Sequence, residues 1–158
     1  MLMKSNKVLS LIAGLTLAAI SFSGCSIVSK EVVDCPQITA LPEAAEAFIK
    51  TDALGHVVDL RFNGVSTSCT KKRNGKINME VAAGLKAVRT FADKGEADVA
   101  IVSMAMAILG PDDKVVSNEA FGYRIGFGKG ARAKYPIAEF DFVVDADQRV
   151  VIMLTPTL

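Results

Sequence analysis

Apolar residues recur at every second position over most of the chain after residue 56, and this alternation restricts the fold more than any other feature. In the two clearest segments the alternating residues are Val58, Leu60 and Phe62, followed by Ile77, Met79, Val81, Ala83 and Leu85. Successive side chains of a β-strand point to opposite faces of the sheet, whereas a helix repeats every ~3.6 residues. The period of two therefore predicts strands with one buried face and one solvent-facing face.

The phase of this alternation changes at Asn63-Gly64, where the inward set becomes Val65, Thr67 and Cys69. One inserted residue exchanges the two faces of a strand, so the change predicts a β-bulge. Farther along, Asn74-Gly75 predicts a tight primed turn, since both of its central residues tolerate positive φ. The sequence thus indicates a bulged strand, a hairpin turn and a second strand in succession.

The run "VAIVSMAMAIL", Val99 to Leu109, is apolar on both faces and is bounded by turn signals. Because strands flank it, a strand is favoured over a buried helix. If one face looks away from the core, we expect that face to form an apolar docking surface of Ala100, Val102, Met104, Met106 and Ile108. The favoured interpretation is that loops or the segment Pro42–Lys50 cover this face.

The segments 115–127, 137–144 and 149–154 continue the pattern, and the short turn "DADQ" joins the last two. Before them, Pro36 and Pro42 bracket a short first strand, and Pro42–Lys50 predicts a helical turn or two with proline at its start. About seven short strands separated by turns predict an all-β fold, an antiparallel immunoglobulin-like β-sandwich with a short N-terminal helical segment. A small β-barrel is the alternative.

The first 24 residues have the three parts of an export signal. Lys4 and Lys7 supply positive charge, an apolar segment of 15 residues runs from Val8 to Phe22, and Ser23 and Gly24 are small, as a processing site requires. This segment is shorter than the roughly 20 residues of a spanning helix, although the uncharged stretch continues beyond it and leaves a retained anchor helix as the alternative. We predict a signal peptide that is removed.

The four residues "FSGC", Phe22 to Cys25, resemble a bacterial lipobox, although Phe22 stands where leucine is usual. The resemblance implies that the Cys25 thiol carries a diacylglycerol, that the signal peptide is cut before this cysteine, and that a fatty acid such as palmitate acylates the new amino terminus. The chain then divides into a signal peptide (1–24), a lipidated tether (25–34) and a β-sandwich domain (35–158). Two acyl chains or more hold a protein at a membrane without a spanning segment.

The lipoprotein resemblance also implies a location. In enteric bacteria, lipoproteins retained at the inner membrane tend to have Asp directly after the lipidated cysteine, and this chain has Ser26 there. We therefore expect a cell-envelope protein, anchored to the outer membrane and facing the periplasm.

Two cysteines, Cys35 and Cys69, remain besides Cys25. An exported chain matures where disulfides persist, and two cysteines have one internal pairing, so we predict the bridge Cys35–Cys69. Two free thiols or half of a metal site are the alternatives. Because His56 is the one histidine and no cysteines are closely spaced, we predict no metal site.

Charge and composition exclude several classes of function. Without Lys4 and Lys7, the eighteen basic residues fall to sixteen, against seventeen acidic residues, so no broad basic surface for nucleic acid is expected. His56 is interpreted as a surface or edge residue, and Asp112-Asp113 as part of a turn. The residues "GFGKGA", Gly126 to Ala131, match the glycine pattern of dinucleotide-binding sites. No helix is expected after them, as that motif requires, so we interpret them as a hairpin loop. We predict no enzyme activity and no cofactor.

Two loops concentrate positive charge. The cations of "KKRNGK" and "GKGARAKY" are candidate contacts for an anionic envelope ligand such as lipopolysaccharide or a cell-wall polymer. The residues proposed for these contacts are Lys71, Lys72, Arg73, Lys129, Arg132 and Lys134. Solvated cationic turns without a partner are the alternative.

Seven residues resemble a motif of small, largely uncharacterised proteobacterial envelope lipoproteins. A Cys-Pro near the lipidated cysteine precedes a Leu-Pro-x-Ala-Ala stretch, and a later cysteine lies in a strand. The matching residues are Cys35, Pro36, Leu41, Pro42, Ala44, Ala45 and Cys69. The resemblance implies a compartment and a fold but no activity. The leading hypothesis is a lipid-anchored, non-enzymatic structural or interaction module, and the alternative is a binding protein for an anionic ligand.

Overall fold

The structure is a computed structural model that describes residues 30–91 and 95–156. These residues form an all-β fold whose elements are β1 (Glu31–Val32), β2 (Ile38–Ala40), a 3₁₀ turn (Pro42–Ala44), β3 (Glu46–Lys50), β4 (Val57–Lys71), β5 (Ile77–Thr90), β6 (Asp98–Leu109), β7 (Val115–Phe127), β8 (Ala133–Lys134), β9 (Ile137–Val144) and β10 (Arg149–Thr155).

Two facing sheets divide these strands. In sheet 1, β4 and β5 form the centre, β1 and β3 line the free edge of β4, and β8 and β9 line that of β5. Sheet 2 has the order β2-β10-β6-β7, in which β2 runs parallel to β10 and the other pairs are antiparallel. The turn at residues 145–148 therefore carries the chain from β9 in sheet 1 to β10 in sheet 2.

The core lies between the inner faces of the two sheets. Sheet 1 contributes Met79 and Leu85, and sheet 2 contributes Val102, Met104 and Ile152, all of which are buried. The alternation predicted for the segment from Ile77 to Leu85 is confirmed, because the inward residues of β5 are buried from Ile77 to Arg89, whereas the first six residues of β7 are exposed on both faces. Burial of alternate apolar side chains is the main favourable contribution to such a fold.

The predicted bulge is confirmed in β4. The pairing between β4 and β5 shifts between Phe62 and Val65, where two residues of β4 lie opposite Gly84. Gly64 has a φ of 127°, which few other residues adopt. Beyond the bulge Cys69 faces the core opposite Met79, as the change of phase predicted.

The helical segment predicted for Pro42–Lys50 is wrong. Proline starts only a single 3₁₀ turn, Pro42–Ala44, and the chain then continues as β3. In this strand Ala47 and Ile49 are buried while Phe48 is exposed, and the whole strand pairs with Val57–Arg61 of β4. Alanine and glutamate favour helices, but pairing with an open sheet edge decides the local structure here.

The tight primed turn predicted at Asn74-Gly75 is also wrong in its type. Gly75 has a φ of 81°, but Asn74 does not have positive φ. The Gly75 amide donates to the Lys72 carbonyl and the Lys72 amide donates to the Lys76 carbonyl, which closes a three-residue loop. Such loops combine a type I turn with a glycine bulge, so the hairpin itself is confirmed.

The face of the Val99–Leu109 run that was considered for docking is covered, as the favoured interpretation of the sequence has it, and Ala47 and Ile49 of the segment Pro42–Lys50 share its core cluster. The strand is confirmed as β6, and Ala100, Val102, Met104, Met106 and Ile108 point into the core and are buried. The outward set is Val99, Ile101, Ser103, Ala105, Ala107 and Leu109. Because both faces are apolar, the sequence pattern alone cannot distinguish them.

The strand registers gather the turns and loops at two opposite ends of the sandwich. The hairpin end comprises residues 30–32, the β4–β5 turn at 72–76 and the turns at 110–114 and 145–148, which the strand registers bring to one side. The opposite end, called the arginine end, comprises residues 51–56, 91, 95–97 and 128–132.

Candidate functional sites at the two ends of the sandwich

A disulfide fastens the N-terminal segment to the hairpin end. Glu31 and Val32 pair with the last residues of β4, and the Val33 amide donates to the Cys69 carbonyl at 3.1 Å. Directly afterwards Cys35 is bonded to Cys69, with the two Cα atoms 5.3 Å apart. The predicted bridge is confirmed, and it joins the incoming chain to a buried position of a central strand.

The β4–β5 turn carries the first group of predicted basic contacts. Lys71 lies 3.8 Å from a Glu31 carboxylate, and Lys76 lies 3.3 Å from Asp145, both at exposed positions. Lys72 and Arg73 are exposed, and neither has a carboxylate within 4.0 Å among the residues that the structure describes. Positive charge is therefore uncompensated at the tip of the hairpin.

Arg89 organises the arginine end from inside. Its side chain is fully buried on the inward face of β5. The guanidinium donates to the carbonyl oxygens of Glu96 at 2.8 Å, Ala131 at 2.9 Å and Gly128 at 3.2 Å. Because these acceptors are main-chain groups of two different loops, one side chain fixes both loops to the sheet.

Aromatic rings complete the surroundings of Arg89. The guanidinium carbon lies 4.8 Å from the centroid of the Phe91 ring and 5.0 Å from that of Phe127. A cation over an aromatic face within about 6 Å is attracted by the ring quadrupole. These contacts and the carbonyl dipoles replace the water that a charged side chain loses on burial.

The second group of predicted basic contacts lies on the loop that Arg89 holds. Lys129 forms an ion pair with Glu96 at 2.9 Å, and Arg132 stacks on the Phe91 ring at 4.2 Å. Lys134 lies in β8, where it pairs with Ala87 and is exposed. The loop crosses from β7 in sheet 2 to β8 in sheet 1, so it is not the hairpin loop that the sequence predicted.

The structure does not bring the two groups of basic residues together. Ile77 follows the first group directly, and Val88 pairs with the strand that holds the second. Eleven residues of strand at about 3.3 Å each separate these positions by about 36 Å. Each group must therefore act alone on any small ligand.

Asp98 holds the other loop of the arginine end. Its carboxylate accepts hydrogen bonds from the amides of Ala53 at 3.1 Å, Leu54 at 2.9 Å and Val99 at 2.8 Å. Burial of this group raises its pKa, but hydrogen bonds from the Thr51 hydroxyl and the three amides outweigh burial and lower the pKa to about 2. The carboxylate therefore stays charged and keeps residues 51–56 against β6.

His56 and the paired aspartates behave as local structure. His56 is half-buried beside Phe91, with ring centroids 5.6 Å apart, and its amide donates to the Thr51 hydroxyl. Asp112 binds Lys114, and Asp113 accepts from Arg149 in the adjoining turn. Within residues 30–91 and 95–156, no group of three or more His, Cys, Asp or Glu side chains is arranged to hold a metal ion.

A shallow groove of about 670 Å³ crosses the outer face of sheet 1 beside the hairpin end. Ser66, Ser68 and Asn78 contribute polar groups, and the strand register places Glu80 of β5 directly opposite Asp141 of β9. Like charges opposite each other destabilise a strand pair. With Glu139 nearby, the groove holds three carboxylates and one cation, Lys30, whereas the hairpin next to it is basic.

Sequence reasoning missed the two buried charged residues, Arg89 and Asp98, although a signal for each was present. Arg89 continues the inward series that begins at Ile77, so the period of two places a charge on the buried face. Asp98 occupies the same phase as Ala100 and Val102 directly before an apolar strand. A charged residue in a buried phase indicates a side chain that is fully hydrogen-bonded.

Cys25 and the predicted signal peptide lie outside the described residues. Along the part of the chain that the structure covers, no helix has the length and hydropathy needed to cross a membrane. No protein-family model matches the chain, and comparisons with curated proteins and with solved structures return no match.

Proposed function

We propose that the protein is a lipid-anchored cell-envelope protein that acts as a non-enzymatic structural or interaction module. Acyl chains on Cys25 hold it at the membrane, with the sandwich in the periplasm at the outer membrane. The observation that carries this proposal is the sequence "FSGC", which follows an apolar segment and ends five residues before Lys30, where the described sandwich begins.

The structure supports the proposal through the way the chain enters the fold. The first strand begins at Glu31, and the disulfide at Cys35 follows ten residues after Cys25. A fully extended chain spans at most ~3.6 Å per residue, so Lys30 lies within about 18 Å of an anchor on Cys25. The anchored sandwich is therefore held close to the membrane by its hairpin end.

Labelling with a tagged fatty acid tests the lipid anchor. The full chain expressed in a bacterium should incorporate the label, and intact mass should show a protein that begins at an acylated Cys25. The variant Cys25→Ser should lose the label and retain the signal peptide, while the matched variant Ser26→Ala should behave as the natural chain. A mature protein with an unmodified Cys25 thiol contradicts the proposal.

The immunoglobulin-like class of the sandwich stays a prediction. Seven of the described strands have five residues or more and are divided between two sheets, which supports it. The parallel pairing of β2 with β10 departs from the purely antiparallel sheets of that class. An experimental structure compared strand by strand with immunoglobulin domains tests this assignment.

A second candidate function is binding of an anionic envelope ligand such as lipopolysaccharide or a cell-wall polymer. Uncompensated charge on Lys72 and Arg73 favours it at the hairpin end, whereas Lys129 is neutralised by Glu96 at the other end. Charge reversal of Lys72 and Arg73 should reduce retention on immobilised lipopolysaccharide. Reversal of Lys129, Arg132 and Lys134 separates the contribution of the second loop, and retention unchanged in both variants overturns this candidate.

A further inference from the structure

We propose that the β4–β5 hairpin is a second membrane contact, which binds the anionic headgroups of the leaflet that holds the lipid anchor. This inference rests on the proposed lipid attachment at Cys25. It assigns to the hairpin end a partner, an anionic phospholipid surface, and to the sandwich an orientation with the arginine end pointing away from the membrane.

Five basic residues of the hairpin end lie next to the point where the tether joins the fold. Four of them belong to the hairpin, and the fifth is the first described residue of the chain. Because β1 pairs with Lys71 and Thr70, the chain leaves the sandwich directly beside the hairpin turn. The five exposed basic residues are Lys30, Lys71, Lys72, Arg73 and Lys76.

The acidic groups of this end do not cancel the charge at the hairpin tip. Glu31 and Asp145 each engage one lysine of the hairpin, and Asp34 lies along the N-terminal segment. Asp112 is paired with Lys114 of its own turn, and Asp113 is paired with Arg149 at the start of β10. The uncompensated cations Lys72 and Arg73 thus lie at the tip of the sheet 1 hairpin, and the exposed Asp147 lies in the turn that leads to sheet 2.

The short segment between Cys25 and the first strand allows the hairpin cations to come close to the membrane surface. Electrostatic attraction to a membrane falls off within about 8 Å at physiological ionic strength, so distant cations contribute nothing. The five residue steps from Cys25 to Lys30 keep Lys30, beside the hairpin, within about 18 Å of the anchor at full extension, and shorter distances are accessible when this segment is not extended. Basic groups beyond the far end of β5, about 36 Å away, cannot reach the surface in the same orientation.

The charge of sheet 1 selects this orientation over one in which that sheet lies flat on the membrane. Glu80, Glu139 and Asp141 line the groove on the outer face of sheet 1 together with one cation, Lys30, and an anionic surface repels this net negative charge. When the hairpin faces the headgroups, these carboxylates are on the side of the molecule instead. Repulsion of these carboxylates and attraction of the hairpin cations therefore favour the same orientation of the sandwich.

Amine labelling of the acylated protein in vesicles tests the contact without a reporter mutation. Lysines occur at both ends, so an impermeant amine-reactive ester with peptide mass spectrometry reads the orientation directly. In phosphatidylcholine vesicles that contain phosphatidylglycerol, Lys72 should be labelled more slowly than Lys50, which lies at the arginine end. Lys114, on the sheet 2 side, should be protected less than Lys72. The protection should disappear in high salt and be weak in vesicles of phosphatidylcholine alone.

A double charge-reversal variant and its matched control distinguish electrostatic docking of the hairpin from proximity to the membrane that the lipid anchor alone imposes. Each basic side chain near an anionic leaflet changes the equilibrium between docked and free states about fivefold. Replacing both Lys72→Glu and Arg73→Glu should therefore lower docking at least about 25-fold and expose Lys71 and Lys76. The control Lys129→Glu with Lys134→Glu also reverses two exposed cations and should leave the protection unchanged.

The outcomes distinguish this inference from the proposed function. Intact mass before reconstitution shows whether Cys25 is acylated, and an unacylated protein contradicts the anchor itself. An acylated protein whose hairpin and arginine-end lysines react equally overturns the inference alone. Protection that is the same in neutral vesicles, or that survives charge reversal at Lys72 and Arg73, overturns it as well.

Discussion

The hairpin end and the arginine end close the same two sheets by different means. At the hairpin end a covalent bond, Cys35–Cys69, secures the incoming chain, and the surrounding charges are exposed. At the arginine end Arg89 and Asp98 are buried, and each holds main-chain groups of loops that have no strand partner. The hairpin end is therefore fixed by a crosslink, and its charged side chains are exposed to solvent. At the arginine end, the buried charges of Arg89 and Asp98 are used to hold the loops.

This difference separates two uses of charged residues. Exposed cations such as Lys72 contribute little to folding, so they are available for contact with a partner. A buried charge such as Arg89 is costly unless every hydrogen bond is made, so it is committed to the fold. The side chains of "KKR" and of Arg89 are all positively charged, but the first are available to a partner and the second stabilises the fold.

Among the changes that test the difference between the two ends, removing the disulfide should cause the largest loss of stability. Replacing Cys35 and Cys69 by serine opens a loop with a sequence separation of 34 residues. Chain-entropy arguments predict a loss of about 4 kcal/mol in the free energy of unfolding. Guanidinium unfolding of the mature protein with and without reductant measures this loss. Two free thiols in the denatured, unreduced protein would contradict the bridge.

Replacing Arg89 by methionine should rank second. Three loop carbonyls then lose their donor, at about 1 kcal/mol or more each, so we expect about 3 kcal/mol of destabilisation. Amide exchange should accelerate around residues 128–132 and not at the hairpin end. Lys86→Met, at an outward position of the same strand, is the matched control and should stay near the natural stability. Equal stability of both variants would show that Arg89 does not hold the loops.

The carboxylate of Asp98 should make stability depend on pH. Its pKa is lowered from 3.8 to about 2, so its contribution is complete above pH 4 and is lost as pH falls from about 4 to about 2. Asp98→Asn cannot accept from the Leu54 amide with its NH₂ group, and we expect a loss of about 2 kcal/mol at neutral pH. Unfolding measured across this range should show a shallower acid dependence in the variant. An unchanged dependence would assign the acid sensitivity to other groups.

The exposed ion pair at the hairpin end should contribute least. Lys76→Ala removes a bridge to Asp145 between two half-exposed side chains. Such pairs contribute less than about 0.5 kcal/mol, and salt screens them. Thermal unfolding of this variant should match that of the natural chain. A loss of stability comparable to that of Arg89→Met would mean that exposed charges at the hairpin end stabilise the fold as much as the buried charge at the arginine end.

The sequence predicted the elements that depend on local pattern. Alternation located the long strands, and the change of phase at Asn63-Gly64 located the bulge that turns Cys69 inward. These features follow from side-chain direction along a single strand, which needs no knowledge of the neighbours. The disulfide followed from the same phase together with the cysteine count.

The wrong predictions depend on partners that are distant in sequence. Glu46–Lys50 has helix-forming residues, and only pairing with the edge of β4 makes it a strand. The direction of β6 could not be assigned because its two faces are equally apolar, so the position of sheet 1 decides which one is buried. The role of Arg89 was missed because its acceptors, the carbonyls of residues 96, 128 and 131, lie on loops that are distant in sequence or structureless in pattern.

The position of the crosslink also has a mechanical consequence. A pull on the N-terminal segment can peel β1 from β4 one residue at a time, but the peeling stops at Cys35. Beyond that point the load passes through Cys69 into the middle of the sheet, where extraction requires neighbouring strands to shear together. The short parallel strand β2 is thereby shielded from tension.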